Sequence, residues 1–431
     1  MLMIPSRLFR HKCRHHASFL QQNKQRWSTT SRHTPHAPLR ILFCGADSFS
    51  IASLKALHEE SKSPGSNILS IDVVTKKDKL SGRGLKRYRS PPIKATAQDL
   101  GLRLHQIDSF TQWSPPKYEA QECPNINLVI AVSFGLLIPP RIINNSHYGG
   151  LNVHPSMLPD LPGAAPVQWS IMFGRRYTGV SIQTLHPTKF DEGVVLSQTP
   201  SPGLVIPDPD SITAAELRDR LAPVGAEMLV QAIRDRLYVP PHKAVKRKEP
   251  SLPLGIFKAP RITTEMKAVD FQTMTRLDIT RRNRAIPKLW AIGETREQTS
   301  PERRIVFEPE GLRTIRMSFE HNAMKLAVDQ IPAGVPFTIV HKSESIRSKA
   351  PQPLLIKAAN RDSTANDLRV VEVARITVAG SPPTAAAQAA AKAGMFKDPV
   401  EIEDMLLYRF HVPLRVPLHT LEAEPKDKLV T

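Results

Sequence analysis

The chain has 431 residues, 41% of them hydrophobic, with three cysteines and a formal net charge of +19. That length suits two or three domains, and no apolar run reaches the roughly 20 residues that cross a bilayer, so membrane insertion is not expected. Cys13, Cys44 and Cys123 show no metal-ligand spacing and are too few for a disulfide framework, which fits a reducing compartment. The basic excess points to a polyanionic partner, to a basic leader, or to both.

Both readings have support along the chain. The first acidic residue is Asp47, and before it come Arg7, Arg10, Lys12, Arg14, Lys24, Arg26 and Arg32, interleaved with Ser and Thr. Residues 1–37 therefore read as a mitochondrial transit peptide, with a disordered basic arm as the plainer alternative. Removing those seven charges from +19 leaves +12, so a nucleic-acid partner is retained for the remainder.

Residues 39–45 read as a buried strand ending in a glycine turn, followed by a helix with Ser48 as N-cap and Ile51, Leu54 and Leu57 on one face. Strand, tight turn and helix is how doubly wound α/β domains begin. One glycine in place of G-x-G-x-x-G makes a dinucleotide reading weak. A second strand covers 71–75. Residues 76–92 form a basic loop containing glycines and one aromatic, suited to phosphate contacts or simply to solvent. A helix over 93–101 and an edge strand over 103–106 precede the strand 127–132, apolar from Leu128 onward, of the kind found at the centre of parallel sheets. By itself the turn at Ser133, Phe134 and Gly135 means strand, then helix.

The stretch 149–166 concentrates the chemistry. Asn152 and His154 lie two apart in the extended segment 151–154, so both side chains point to one face. Pro155 favours an exit from the sheet. Pro155, Pro159 and Pro162 stiffen the loop, Gly163 allows a tight bend, and Pro166 suits the first turn of a helix over 167–173 that stops at Gly174. Residues 178–185 alternate like a strand. The following loop, 186–193, carries Asp191, which on its own reads as turn chemistry, with His186 and Glu192 as bystanders.

Residues 213–236 read as a long amphipathic helix, with Leu217, Leu221, Ala226, Leu229 and Ile233 on a common side. The Pro- and Lys-rich stretch 240–254 reads as a linker. Beyond it, short strand-like runs at 305–307, 324–328, 337–340, 354–356 and 370–378 suggest a small β-barrel. An Ala-rich helix is expected over 384–392, capped by Thr384 and Gly394. Arg276, Arg281, Arg282 and Arg284 form a basic cluster, either a solvated helix face or a phosphate contact.

Asn-x-His-x-Ser-x-Leu-Pro at 152–159 followed by Gly-Ala-Ala-Pro at 163–166 resembles the signature of the folate-dependent formyltransferases, most of all the branch acting on methionyl-tRNA. The resemblance covers 39–240 well and 255–400 loosely; 271–289, with Arg284-Ala285 and Trp290 nearby, is similar to the start of that family's C-terminal domain. It implies an α/β fold: a doubly wound, mostly parallel sheet over 38–240, a linker over 241–255, and a small β-barrel tRNA-binding domain over 256–431. It implies a catalytic triad of Asn152, His154 and Asp191. Folate contacts would come from Ser156, Met157, Leu158 and Pro159, with the backbone of Ser133, Phe134 and Gly135 lining a pterin pocket. Arg83 matches the arginine of a Gly-Arg-Gly insertion that reaches the tRNA acceptor end, with Lys86 and Arg87 beside it. Arg281, Arg282 and Arg284 would make further tRNA contacts. The implied substrates are 10-formyltetrahydrofolate and initiator Met-tRNA, with no metal, in a monomer of the mitochondrial matrix. Three departures stand out: Asp160-Leu161-Pro162 replaces a stretch ending in Arg, Lys79-Leu80 an Arg-Pro, and Val194 a second Asp.

Formyl transfer to an amine needs donors to a developing oxyanion and a proton path from the attacking to the departing nitrogen. Asn152 and His154 would donate, and Asp191 would orient His154 and help relay the proton. A small-substrate formyltransferase or 10-formyltetrahydrofolate hydrolase is the alternative enzyme reading. A non-catalytic RNA-binding protein of the same fold is the other.

Overall fold

A computed structural model describes residues 37–119, 125–245, 257–296, 302–319, 322–346, 351–359 and 368–417. Residues 1–36 of the leader expected over 1–37 and residues 246–255 of the linker expected over 241–255 lie outside them. Within the chain, Leu39–Thr431 is one compact unit.

Up to Gln198 the described residues contain ten strands: β1 (Leu39–Gly45), β2 (Ile68–Lys76), β3 (Lys79–Ser81), β4 (Arg87–Arg89), β5 (Arg103–Ile107), β6 (Leu128–Val132), β7 (Gly150–His154), β8 (Tyr177–Thr178), β9 (Ser181–Thr184) and β10 (Val195–Gln198). Seven of them form one sheet in the order β10-β9-β7-β6-β1-β2-β5. The run from β7 to β5 is parallel, and β9 and β10 are antiparallel. The alternation in β1 shows why the sheet is covered on both sides. Leu39, Ile41 and Phe43 enter one core, while Leu42 and Cys44 enter another with Val74, Phe110 and Phe134. Burial pushes the Cys44 thiol far above its usual range, so it behaves as an inert core group.

Helices Ser48–Ser61 and Ala214–Arg234 pack together on the first face. The first is capped by Asp47, whose carboxylate accepts from Ser50 N at 3.1 Å, and not by Ser48, which is already helical. The second begins with a capping box between Thr213 and Glu216. Residues 76–92 are more than a loop: β3 and β4 form a small hairpin closed by the turn Arg83–Leu85.

β11 (Leu204–Val205) pairs with β8. The second half is antiparallel: β12 (Trp290–Glu294), β13 (Glu302–Phe307), β14 (Leu312–Arg316), β15 (Pro336–His341), β16 (Leu354–Ile356), β17 (Arg369–Val373), β18 (Arg375–Val378), β19 (Thr384–Ala385), β20 (Val400–Ile402) and β21 (Met405–Arg409). They form a four-stranded sheet, β12-β13-β18-β19, and a six-stranded sheet, β14-β17-β16-β15-β21-β20. Three expectations are corrected here. The run at 324–328 is part of the helix Asn322–Asp329: Met324 and Val328, four apart, are buried while Leu326 is exposed, a helical period. The run at 370–378 breaks at Ala374 into strands of two different sheets. Thr384 does not cap the Ala-rich helix Ala386–Lys392, because it is paired in β19 with Ile376.

Candidate active site

The antiparallel pairing of β9 with β7 sets Gln183 opposite Asn152 and Ser181 opposite His154, so all four share one face of the sheet. The loop after β9 then returns Asp191 over this face. Gly193 makes the return possible: a Cβ there would lie 1.7 Å from the Thr184 carbonyl oxygen. Asp191 itself has φ +56, a conformation Asp tolerates better than most residues. Its Oδ1 accepts from Asn152 Nδ2 at 3.1 Å and Gln183 Nε2 at 2.9 Å, and lies 3.3 Å from His154 Nδ1. Its Oδ2 accepts from Gly163 N at 2.8 Å. The His154 and Asp191 side chains are 5% and 7% exposed, so this contact is shielded from bulk water. The other imidazole nitrogen, Nε2, is 2.9 Å from the Leu161 carbonyl oxygen.

The loop that supplies Leu161 and Gly163 is held by the second half of the chain. Leu161 N donates to Phe257 O, Ala259 N to Pro162 O, and Ala165 N to Ala259 O, at 2.7–3.1 Å. A Cβ on Gly163 would sit 2.4 Å from Ala259 O, so the approach requires glycine. The Asp160-Leu161-Pro162 departure acquires a role here. Asp160 Oδ1 accepts from Arg175 Nη2 at 2.9 Å and from Phe257 N at 3.2 Å, with both ionic side chains under a tenth exposed. Arg175 also lies over the Phe257 ring, 5.4 Å from its centroid. Residues 257–260 thus form a strap across the loop that carries the site.

Asn152, His154 and Asp191 open onto a cleft of about 450 Å³. Its walls include Phe134, Leu136 and Ile138 from the turn after β6, and Ser133 and Gly135 line it as well. A cleft of this size, lined by apolar side chains and convergent polar groups, suits a small organic ligand. In its lining, burial pushes the Asp47 carboxyl up, opposed by Ser50, Arg218 and Ser133. Burial, helped by Arg261 and Lys79, holds the Lys76 ammonium below its usual range. Among the described residues no group of three or more His, Cys, Asp or Glu side chains could hold a metal ion.

Other expected residues fall elsewhere. Ser156, Met157, Leu158 and Pro159 do not line this cleft. Ser156 Oγ donates to the Asp160 carbonyl oxygen, Leu158 N to Ser181 Oγ, and Ser156 and Leu158 are buried, so the segment braces the loop from behind. Lys86 and Arg87 are exposed on the hairpin, and the Arg83 side chain lies outside the described residues. The arginines of helix Arg276–Ala285 are placed differently. Arg282 donates to the carbonyls of Met266 and Ala268, and Arg284 to those of Pro209 and Ile212. Arg281 lies against Gly174 at the end of helix Pro166–Met172. Gln183 was missed in the sequence because nothing local separates it from any polar residue of an alternating strand; only the pairing register aims it at Asp191.

An amide, an imidazole and a carboxylate grouped at the strand ends of a doubly wound sheet, in the lining of a cleft, define a site for proton transfer coupled to stabilising a developing negative charge. The Formyl transferase family model matches residues 39–233. The mitochondrial methionyl-tRNA formyltransferase of Saccharomyces cerevisiae is 36% identical over 275 residues, 57% of this chain and 67% of the yeast protein. The methionyl-tRNA formyltransferase of Caldanaerobacter subterraneus is 32% identical over 237 residues, 54% of this chain and 70% of that one. A sugar 3N-formyl transferase solved with dTDP and 5-N-formyl-THF aligns with a TM-score of 0.43 and 14% identity over 79% of this chain and 98% of that one, a likeness too distant to carry an argument. The chain belongs to the formyl transferase family, among the methionyl-tRNA formyltransferases, and is a formyl-transferring enzyme.

Proposed function

We propose that the chain transfers the formyl group of 10-formyltetrahydrofolate to the amino group of initiator Met-tRNA, and that Asn152, His154 and Asp191 carry the chemistry. The observation that supports this most is the convergence of Asn152 Nδ2 and His154 Nδ1 on Asp191 Oδ1, at 3.1 and 3.3 Å, in the lining of the cleft. The amine nitrogen bonds to the formyl carbon, the bond from that carbon to N10 breaks, and a proton passes from the amine to N10. Asn152 Nδ2 has a second N–H beyond the one given to Asp191, and this is available to the oxyanion. His154 moves the proton, and Asp191 holds its ring in orientation. The pterin lies along Phe134, Leu136 and Ile138, on the backbone of residues 133–135.

The same reading gives the exposed hairpin residues Lys86 and Arg87, with Arg83, to the tRNA backbone. It divides the chain into a leader over 1–37, a catalytic domain over 38–240, a linker over 241–255 and a tRNA-binding domain over 256–431. It places the protein as a monomer in the mitochondrial matrix, in line with the yeast relative's mitochondrial name. Alanine replacement of Asn152, His154 and Asp191 in turn, followed by transfer of labelled formyl to Met-tRNA, tests the assignment. Each is expected to lower kcat about 10²–10⁴-fold; activity within a few-fold of wild type removes that residue.

A further inference from the structure

Gln183 is 1% exposed and reaches the wall of the cleft. A carboxylate only accepts hydrogen bonds, so the amide must turn its NH2 toward Asp191 Oδ1, at 2.9 Å. Its Oε1 then faces away, buried and with no hydrogen-bond partner among the described residues. Such an orphan is a net cost to folding, and a methionine would fill a similar volume without it. Packing therefore does not account for a glutamine here. In the proposed reaction Asn152 gives its second N–H to the oxyanion and His154 moves the proton, so both have duties toward the reacting atoms. Of the side chains that meet at Oδ1, Gln183 alone has no other duty.

We propose that Gln183 is a positioning residue for formyl transfer: it pins Asp191 Oδ1 while Gly163 N pins Oδ2, so that the carboxylate keeps facing His154 as the other donors engage the substrate. The inference rests on the active-site assignment made above.

The test uses the full chain carrying Gln183→Met, Gln183→Glu or Asp191→Asn, with 10-formyltetrahydrofolate and Met-tRNA as substrates and a thermal melt as a check on folding. Gln183→Met removes the donor at nearly equal length and is expected to lower kcat about 10-fold with both KM values within about twofold. Gln183→Glu sets a carboxylate against a carboxylate and is expected to lower kcat about 100-fold. A packing role predicts the reverse order, because Glu is the closer isostere. Wild-type kcat in Gln183→Met overturns the proposal, as does a Glu variant at least as active as the Met variant, or an effect confined to KM. If the Glu variant fails to fold, the Met variant decides alone. Wild-type kcat in Asp191→Asn sinks the active-site assignment itself, whereas an inactive Asp191→Asn beside a fully active Gln183→Met sinks only the role of Gln183.

Discussion

Two regions of this chain are rich in basic residues, and the fold uses them in opposite ways. On the hairpin of β3 and β4, Lys79, Lys86, Arg87 and Arg89 stand in solvent beside exposed Leu80, Leu85 and Tyr88. On helix Arg276–Ala285, Arg282 and Arg284 are half-buried with their guanidinium groups on main-chain carbonyls. Burial, the larger effect, holds the Arg284 guanidinium below its usual range. The carbonyls it takes, those of Pro209 and Ile212, belong to the first half of the chain, so this arginine fastens one half to the other. A charge already committed to a buried acceptor is not available to a phosphate, whereas an exposed one is.

That contrast breaks or sharpens by substitution. The largest effect is expected at Arg175, the most deeply committed arginine, through its partner. Asp160→Ala leaves Arg175 buried without its carboxylate and should lower unfolding stability by about 3–5 kcal/mol in urea titrations. It should also lower kcat, since Leu161, next in the chain, holds His154. A variant as stable as wild type would show that the strap is seated without the ion pair. Next comes Arg284→Met, expected to cost about 2 kcal/mol as two carbonyls lose their donor, with tRNA affinity of the folded protein within about twofold. A stable Arg284→Met that binds tRNA poorly would erase the distinction between the two regions. Smallest is the hairpin double replacement Lys86→Ala with Arg87→Ala. It should leave stability within about 0.5 kcal/mol. It should raise the KM for Met-tRNA about 10-fold and reduce the dependence of log affinity on log salt by nearly 2. An unchanged salt slope would place the tRNA elsewhere.

Much of the site's scaffold was legible before any coordinates. The apolar run of β6, the two-residue spacing of Asn152 and His154, and the helical period of Leu217, Leu221, Ala226, Leu229 and Ile233 are local patterns whose period or spacing states their geometry. The second half was less legible because short apolar runs satisfy more than one period, as 324–328 shows. Ser156–Pro159 was placed by resemblance, and the buried hydrogen bonds of Ser156 and Leu158 to Asp160 and Ser181 had no local signal.

From its sequence alone this protein declares a doubly wound sheet and puts an amide and an imidazole on one strand face, because side-chain alternation is a property of the backbone itself. Tertiary structure decided the rest. The register of β9 on β7, the return of Asp191 over that face, the strap at 257–260 and the division of arginines into committed and exposed all depend on contacts between residues distant in the chain. No local pattern encodes such contacts, since they exist only once the sheet has closed and the two halves have packed.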